Sequence, residues 1–127
     1  MKVVYNKIIP FAGYQAITMW PFIFVRTENV TDVLLNHENI HGRQQVEVLA
    51  VAVVLSVLLW LIWYSWWSLL ALPLYLWLYV GLWLYMGFRK GWNKAYKANP
   101  LEREAYYYEN AKWYLSNRKP FAWLNIF

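Results

Sequence analysis

Cysteine is absent from this 127-residue chain. Disulfides and thiolate metal sites are therefore excluded, and nothing about redox compartment follows. Histidine is nearly absent: there are two, His37 and His41. That is too few for the histidine-rich clusters of membrane di-iron oxygenases and desaturases. Charge is scarce as well. Charged residues make up 15% of the chain, against about 25% in ordinary soluble domains, and apolar residues 61%, against roughly 45–50%. Every charge lies outside residues 48–88, which leaves 41 consecutive residues with none. A soluble core does not need such a block, but a bilayer does. No long apolar stretch with a small-residue cleavage site stands near Met1, so no cleavable signal peptide is expected.

The charge that is present sums to +5. It flanks the apolar block instead of forming a stripe. It therefore suits anionic lipid head groups and a topology signal, and argues against a nucleic-acid partner. The length points to one domain, residues 1–127.

Four stretches follow along the chain. Residues 1–31 read as a strand or irregular segment. Their short apolar runs are punctuated by Pro10, Gly13 and Pro21, and one or two strands, which could pair as a hairpin, are expected within 8–26. Pro21 would hold its strand to an edge or a bulge. Thr31 or Asp32 can cap a helix over residues 32–64, which carries the histidines and continues into a first membrane span. Ser65-Trp66-Trp67-Ser68 marks a turn, and residues 69–88 read as a second span. Tryptophans near the turn and near Trp83 and Trp92 suit aromatic belts at the two membrane faces. Asn99 and Pro100 then start an amphipathic helix over 99–117, with Leu101, Ala105, Tyr108, Lys112 and Leu115 on one stripe. The fold expected is mainly α: a two-span transmembrane helical hairpin with a short N-terminal β segment and a C-terminal amphipathic helix.

His37 and His41 are four residues apart on one helix face, with Cβ atoms about 5–6 Å apart. Two imidazoles so placed can bind one zinc ion through bonds of about 2.0–2.1 Å. Glu38 flanks them, where it can take a proton from zinc-bound water. This is the H-E-x-x-H arrangement. A catalytic zinc takes three protein ligands and keeps one open position. With no third histidine, the remaining ligand must be a carboxylate. Two spans return the chain to its starting side, so the candidates are Glu102, Glu104 and Glu109. Glu102 and Glu109 share a face, whereas Glu104 points elsewhere and reads as a solvated charge. Gln44 and Gln45 continue the histidine face and could orient a ligand or a substrate backbone. Gly42 costs about 1 kcal/mol in a helix interior, which close approach of the Glu102 helix would explain. Arg103 and Arg118 read as lipid contacts.

His37-Glu38-Asn39-Ile40-His41, followed by Glu102-Arg103-Glu104-Ala105, resembles the gluzincin pattern. In that pattern a downstream Glu-x-x-Ala supplies the third ligand, and the membrane-bound members place transmembrane helices between the two motifs. Most of the chain is also similar to a group of small bacterial membrane proteins. They share the stretch Pro21-Phe22-Ile23-Phe24-Val25-Arg26, the Asn-His-Glu-x-Ile-His-x-Arg-Gln-Gln-x-Glu run from Asn36 to Glu47, and Glu102 to Tyr106. The resemblance implies a minimal zincin-like site with zinc on His37, His41 and Glu102 and with Glu38 as general base. Gluzincins commonly have Asp after that Ala, to orient a ligand histidine. Here the residue is Tyr106, so Tyr106 or another group such as Glu109 takes that role.

The activity expected is a zinc-dependent metallopeptidase hydrolysing peptide or membrane-protein substrates at the lipid bilayer. Tyr106, Tyr107 and Tyr108 are the candidate oxyanion donors. A strand within residues 16–25 would hold an extended substrate by strand addition. The positive-inside rule puts both termini and the site in the cytoplasm, and the resemblance implies the inner membrane of a bacterium. His41 lies seven residues before Val48, so the metal is expected roughly 10 Å outside the apolar boundary. The alternative is a non-catalytic membrane structural or partner-binding protein with a structural or vestigial zinc site; a structural site is closed and needs no general base.

Overall fold

A computed structural model describes residues 1–9, 13–26 and 29–126. Pro10, one of the punctuating residues above, lies outside the described residues. The chain is mainly helical with one small sheet. Three strands, β1 (Lys2–Tyr5), β2 (Ala16–Met19) and β3 (Phe22–Val25), form a sheet in the order β1-β3-β2. β2 and β3 make the expected hairpin, antiparallel with Ile17 opposite Phe24. β1 pairs parallel to β3 and was not expected. The inference from Pro21 is corrected. β3 is the central strand, and Pro21 sits in the turn before it, where the missing N–H costs no ladder bond.

Helix α1 runs from Asp32 to Trp63. Thr31 caps it by accepting from the Leu34 N–H at 3.2 Å, and Tyr64 ends it in the left-handed region at φ 48°. Its first half buries His37, Glu38, Ile40, His41 and Gln44, whereas most of the surface beyond Val48 is apolar and exposed. Among the described residues, α1 is the one helix long and apolar enough to cross a membrane.

The second apolar segment differs from the expected 69–88. Trp66–Ala71 form a 3-10 helix packed along α1, started by the Ser65 hydroxyl. Helix α2 is Leu74–Lys90, 17 residues, with Pro73 before its first residue. It starts beside the site, where the Tyr75 phenol donates to Gln44 Oε1 at 3.3 Å. Helix α3 (Trp92–Ala98) folds back on α2 and buries Ala95 and Ala98 against Met86.

The helix expected over 99–117 is broken. Helix α4 covers Pro100–Tyr108 and a one-turn helix, α5, covers Tyr114–Asn117. Asn99 caps α4 by accepting from the Leu101 N–H at 3.1 Å. The break comes where Asn36 of α1 donates to the carbonyls of Tyr108 (3.1 Å) and Glu109 (2.8 Å), which satisfies the helix end from outside. Lys112 is consequently not on the buried stripe but exposed, 2.8 Å from Asp32. The core beneath α4 joins Val48, Leu101 and Trp123, with Leu78 and Leu82 of α2 against them.

Candidate metal centre

The α1 and α4 helices bring His37, His41 and Glu102 together, all three buried. The two Nε2 atoms are 3.2 Å apart, and Glu102 oxygens lie 3.7 Å from His37 Nε2 and 3.6 Å from His41 Nε2. Two nitrogens each about 2.05 Å from one tetrahedral ion would be about 3.3 Å apart, so the spacing fits a shared cation. Glu102 Oε2 is buried and has no hydrogen-bond donor among the described residues. A buried carboxylate oxygen without a partner is costly unless a cation completes it. The group can therefore hold a metal ion.

The other polar atoms of these side chains are held in place. Glu109 Oε2 lies 2.9 Å from His37 Nδ1 and takes the orienting role that Tyr106 leaves open. Gln44 Oε1 lies 2.9 Å from His41 Nδ1. The Tyr79 phenol donates to Glu102 Oε1 at 2.7 Å. Burial pushes the Glu102 carboxyl up, but the two imidazoles and the Tyr79 phenol outweigh it and hold the group well below the usual carboxylate range.

Glu38 is buried beside this cluster. The Thr18 hydroxyl of β2 lies 2.7 Å from Glu38 Oε2 and 2.9 Å from the Glu38 carbonyl oxygen. Gln45 does not face the histidines. Its Nε2 donates to the Thr18 carbonyl at 2.7 Å and its Oε1 accepts from the Trp20 N–H at 2.8 Å, so it fastens β2 to α1. That part of the strand is taken by a side chain, and an added peptide would have to displace it.

Of the three tyrosines of α4, Tyr106 borders the site, with its ring centroid 4.7 Å from that of His37. Tyr107 is exposed, and Tyr108 stacks on Tyr114 at 3.7 Å. Tyr96 and Tyr14 continue the aromatic row outward from Tyr106.

Three readings are corrected. Glu104 is not a solvated charge: it is fully buried, with Gln44, Tyr114 and Arg118 around its carboxylate. Arg118 is not a lipid contact but a buried cation between Glu104 and Glu47. Gly42 is not explained by the Glu102 helix, since a Cβ there would meet the end of the Met1 side chain.

Asn36, Tyr75, Tyr79 and Thr18 were not found by sequence reasoning. Asn36 precedes the motif directly and was the nearest to being legible, while the tyrosines lie among many others in an apolar block. Compared with protein-family models, curated proteins and solved structures, the chain matches none.

Proposed function

We propose that this chain is a zinc-dependent peptidase held at a membrane, of the gluzincin type that its motifs resemble. The observation that carries the reading is the buried His37–His41–Glu102 group with Glu38 adjacent. Zinc suits two imidazoles and one carboxylate, and this is a ligand set of catalytic zinc sites. When bound, zinc polarises a carbonyl and acidifies a water molecule toward pH 7. With zinc held by His37, His41 and Glu102, Glu38 would be the general base and acid, its carboxylate carrying a proton from the attacking water to the departing amine. Thr18 holds the Glu38 carboxylate. Glu109 and Gln44 keep both imidazoles aimed at the metal position. Tyr106 is the phenol best placed to donate to the developing oxyanion.

The bilayer reading rests on α1. Val54, Leu58, Leu61 and Ile62 are more than half exposed, and each such side chain gains roughly 1.5–3 kcal/mol on full transfer from water. In this proposal the chain crosses through residues 48–63 and is back at the level of the site by Tyr75, so the site and both termini share one side. The contacts of Tyr75 with Gln44 and of Tyr79 with Glu102 support that return. Basic residues on both flanks favour the cytoplasm for that side, and the resemblance to small bacterial membrane proteins suggests a bacterial inner membrane. A reporter fused after the last residue should be active only in its cytoplasmic form, and activity outside would refute the topology. A membrane-level site favours substrates that are themselves membrane-tethered peptides or proteins.

The test is metal analysis of the purified protein beside Glu38→Gln, with cleavage of a quenched fluorescent peptide library displayed on anionic vesicles. Both proteins should hold one equivalent of zinc, and cleavage should fall roughly 10²–10⁴-fold in the variant. Zinc bound equally, with cleavage absent or independent of Glu38, would make the site structural.

A further inference from the structure

Behind His41 lies a buried polar cluster that the proposed chemistry does not use. Glu104 is fully buried, and Arg118 is nearly so. Four donors converge on the Glu104 carboxylate. Tyr114 O–H donates to Oε1 at 2.7 Å and Arg118 Nε to the same oxygen at 2.5 Å. Gln44 Nε2 donates to Oε2 at 3.0 Å and Arg118 Nη2 at 3.1 Å. Gln44 Nε2 also donates to the Leu101 carbonyl at 3.0 Å.

The orientation of the Gln44 amide follows from these partners alone. A carboxylate with three other donors around it, from Tyr114 and Arg118, and a main-chain carbonyl can only accept. The amide nitrogen must therefore face them, and its oxygen must face His41. An oxygen there accepts from His41 Nδ1–H, which leaves the lone pair of Nε2 directed at His37 and Glu102. The Tyr75 phenol, donating to the same Gln44 oxygen, agrees with this orientation. Were the amide reversed, two donors would meet at His41 Nδ1 and two acceptors at Glu104, each a buried mismatch.

We propose that Glu104 is a positioning residue: through the Gln44 amide it fixes the His41 tautomer that presents Nε2 to the metal. The inference rests on the zinc reading above but not on catalysis. Glu109 does the same for His37 in one step, whereas Glu104 acts at one remove. Arg118, fastened also to Glu47, supplies two of the donors that hold the Glu104 carboxylate in place.

The experiment measures zinc affinity of the full chain in detergent micelles by competition with a chelator. Glu104→Gln should weaken binding about tenfold to a hundredfold, the usual loss when an orienting partner of a ligand is changed. The exchange variant Gln44→Glu/Glu104→Gln puts the obligate acceptor beside His41 and the amide behind it, and should recover most of that loss. A purely structural role for Glu104 predicts no such rescue. Wild-type affinity in Glu104→Gln, or a loss that the exchange leaves in place, overturns the proposal. A second arm needs no variant. In the zinc-loaded protein, ¹⁵N NMR of labelled histidine should show His41 metallated at Nε2 with a slowly exchanging Nδ1 proton, and metal on Nδ1 overturns the proposal. No arm measures cleavage. Zinc binding without peptidase activity would sink the hydrolytic reading and leave this one standing, while zinc binding indifferent to Glu104 would do the reverse.

Discussion

Replacing Arg118 with methionine removes the one cation between two carboxylates and leaves a chain of similar length. Burial works against the charge of Arg118, but its bonds to Glu104 and Glu47 outweigh it and hold the guanidinium more firmly protonated than usual. Taking one partner from a buried ion pair costs about 3–5 kcal/mol, because the other charge stays behind uncompensated. Here the remaining charges are unequal. Glu47 is 14% exposed and can turn to water, but Glu104 is 0% exposed and cannot. Glu104 keeps two donors, Gln44 and Tyr114, so the lower end, about 3 kcal/mol, is expected. Chemical unfolding in mild detergent, followed by tryptophan fluorescence, measures it. Lys112→Met is the control. Its ion pair with Asp32 is 2.8 Å long, but both side chains are about four-fifths exposed, and exposed pairs contribute little. If Arg118→Met unfolds no more easily than Lys112→Met, the weight given to burial is wrong.

Further outcomes are expected. His37→Ala, His41→Ala and Glu102→Ala should each lose stoichiometric zinc, read by elemental analysis, and zinc retained in Glu102→Ala would remove the third ligand. Tyr79→Phe deletes the hydrogen bond to Glu102 and should weaken zinc about tenfold without unfolding the protein. Gly42→Ala should be neutral or stabilise by up to about 1 kcal/mol in the same unfolding assay, because the obstructing atoms are the movable end of Met1. A large loss there would mean that the glycine answers to something more rigid.

The sequence made α1 legible almost to the residue, because Thr31 is a good cap and nothing before Tyr64 breaks the helix. The pairing of His37 with His41 followed from helical spacing alone. Glu102 needed the resemblance, since spacing left Glu109 equally eligible, and Glu109 in fact meets the other face of His37. The errors share one cause. Glu104 and Arg118 were each read singly, and a lone charge is ordinarily solvated. Only tertiary structure brings Arg118 within bonding distance of both Glu104 and Glu47, the latter 71 residues away. Helix α4 likewise ends early because of Asn36, a partner 72 positions distant. The strand β1 was missed because it is four residues long and its pairing partner lies beyond a turn-rich stretch.

Because α1 is continuous from Asp32 to Trp63, it works as a ruler. The rise from His41 to Trp63 is fixed at roughly 33 Å, with no hinge between the metal ligands and the tryptophan end. The depth of the reacting centre is then not free to adjust by itself. In a thinner bilayer the whole helix must tilt, and in a thicker one it must sink or the lipid must thin, at a fraction of a kcal/mol per ångström. Either response moves the histidines relative to the lipid surface. On the membrane-peptidase reading proposed above, lipid thickness would then set which segment of a membrane-tethered chain comes level with the site.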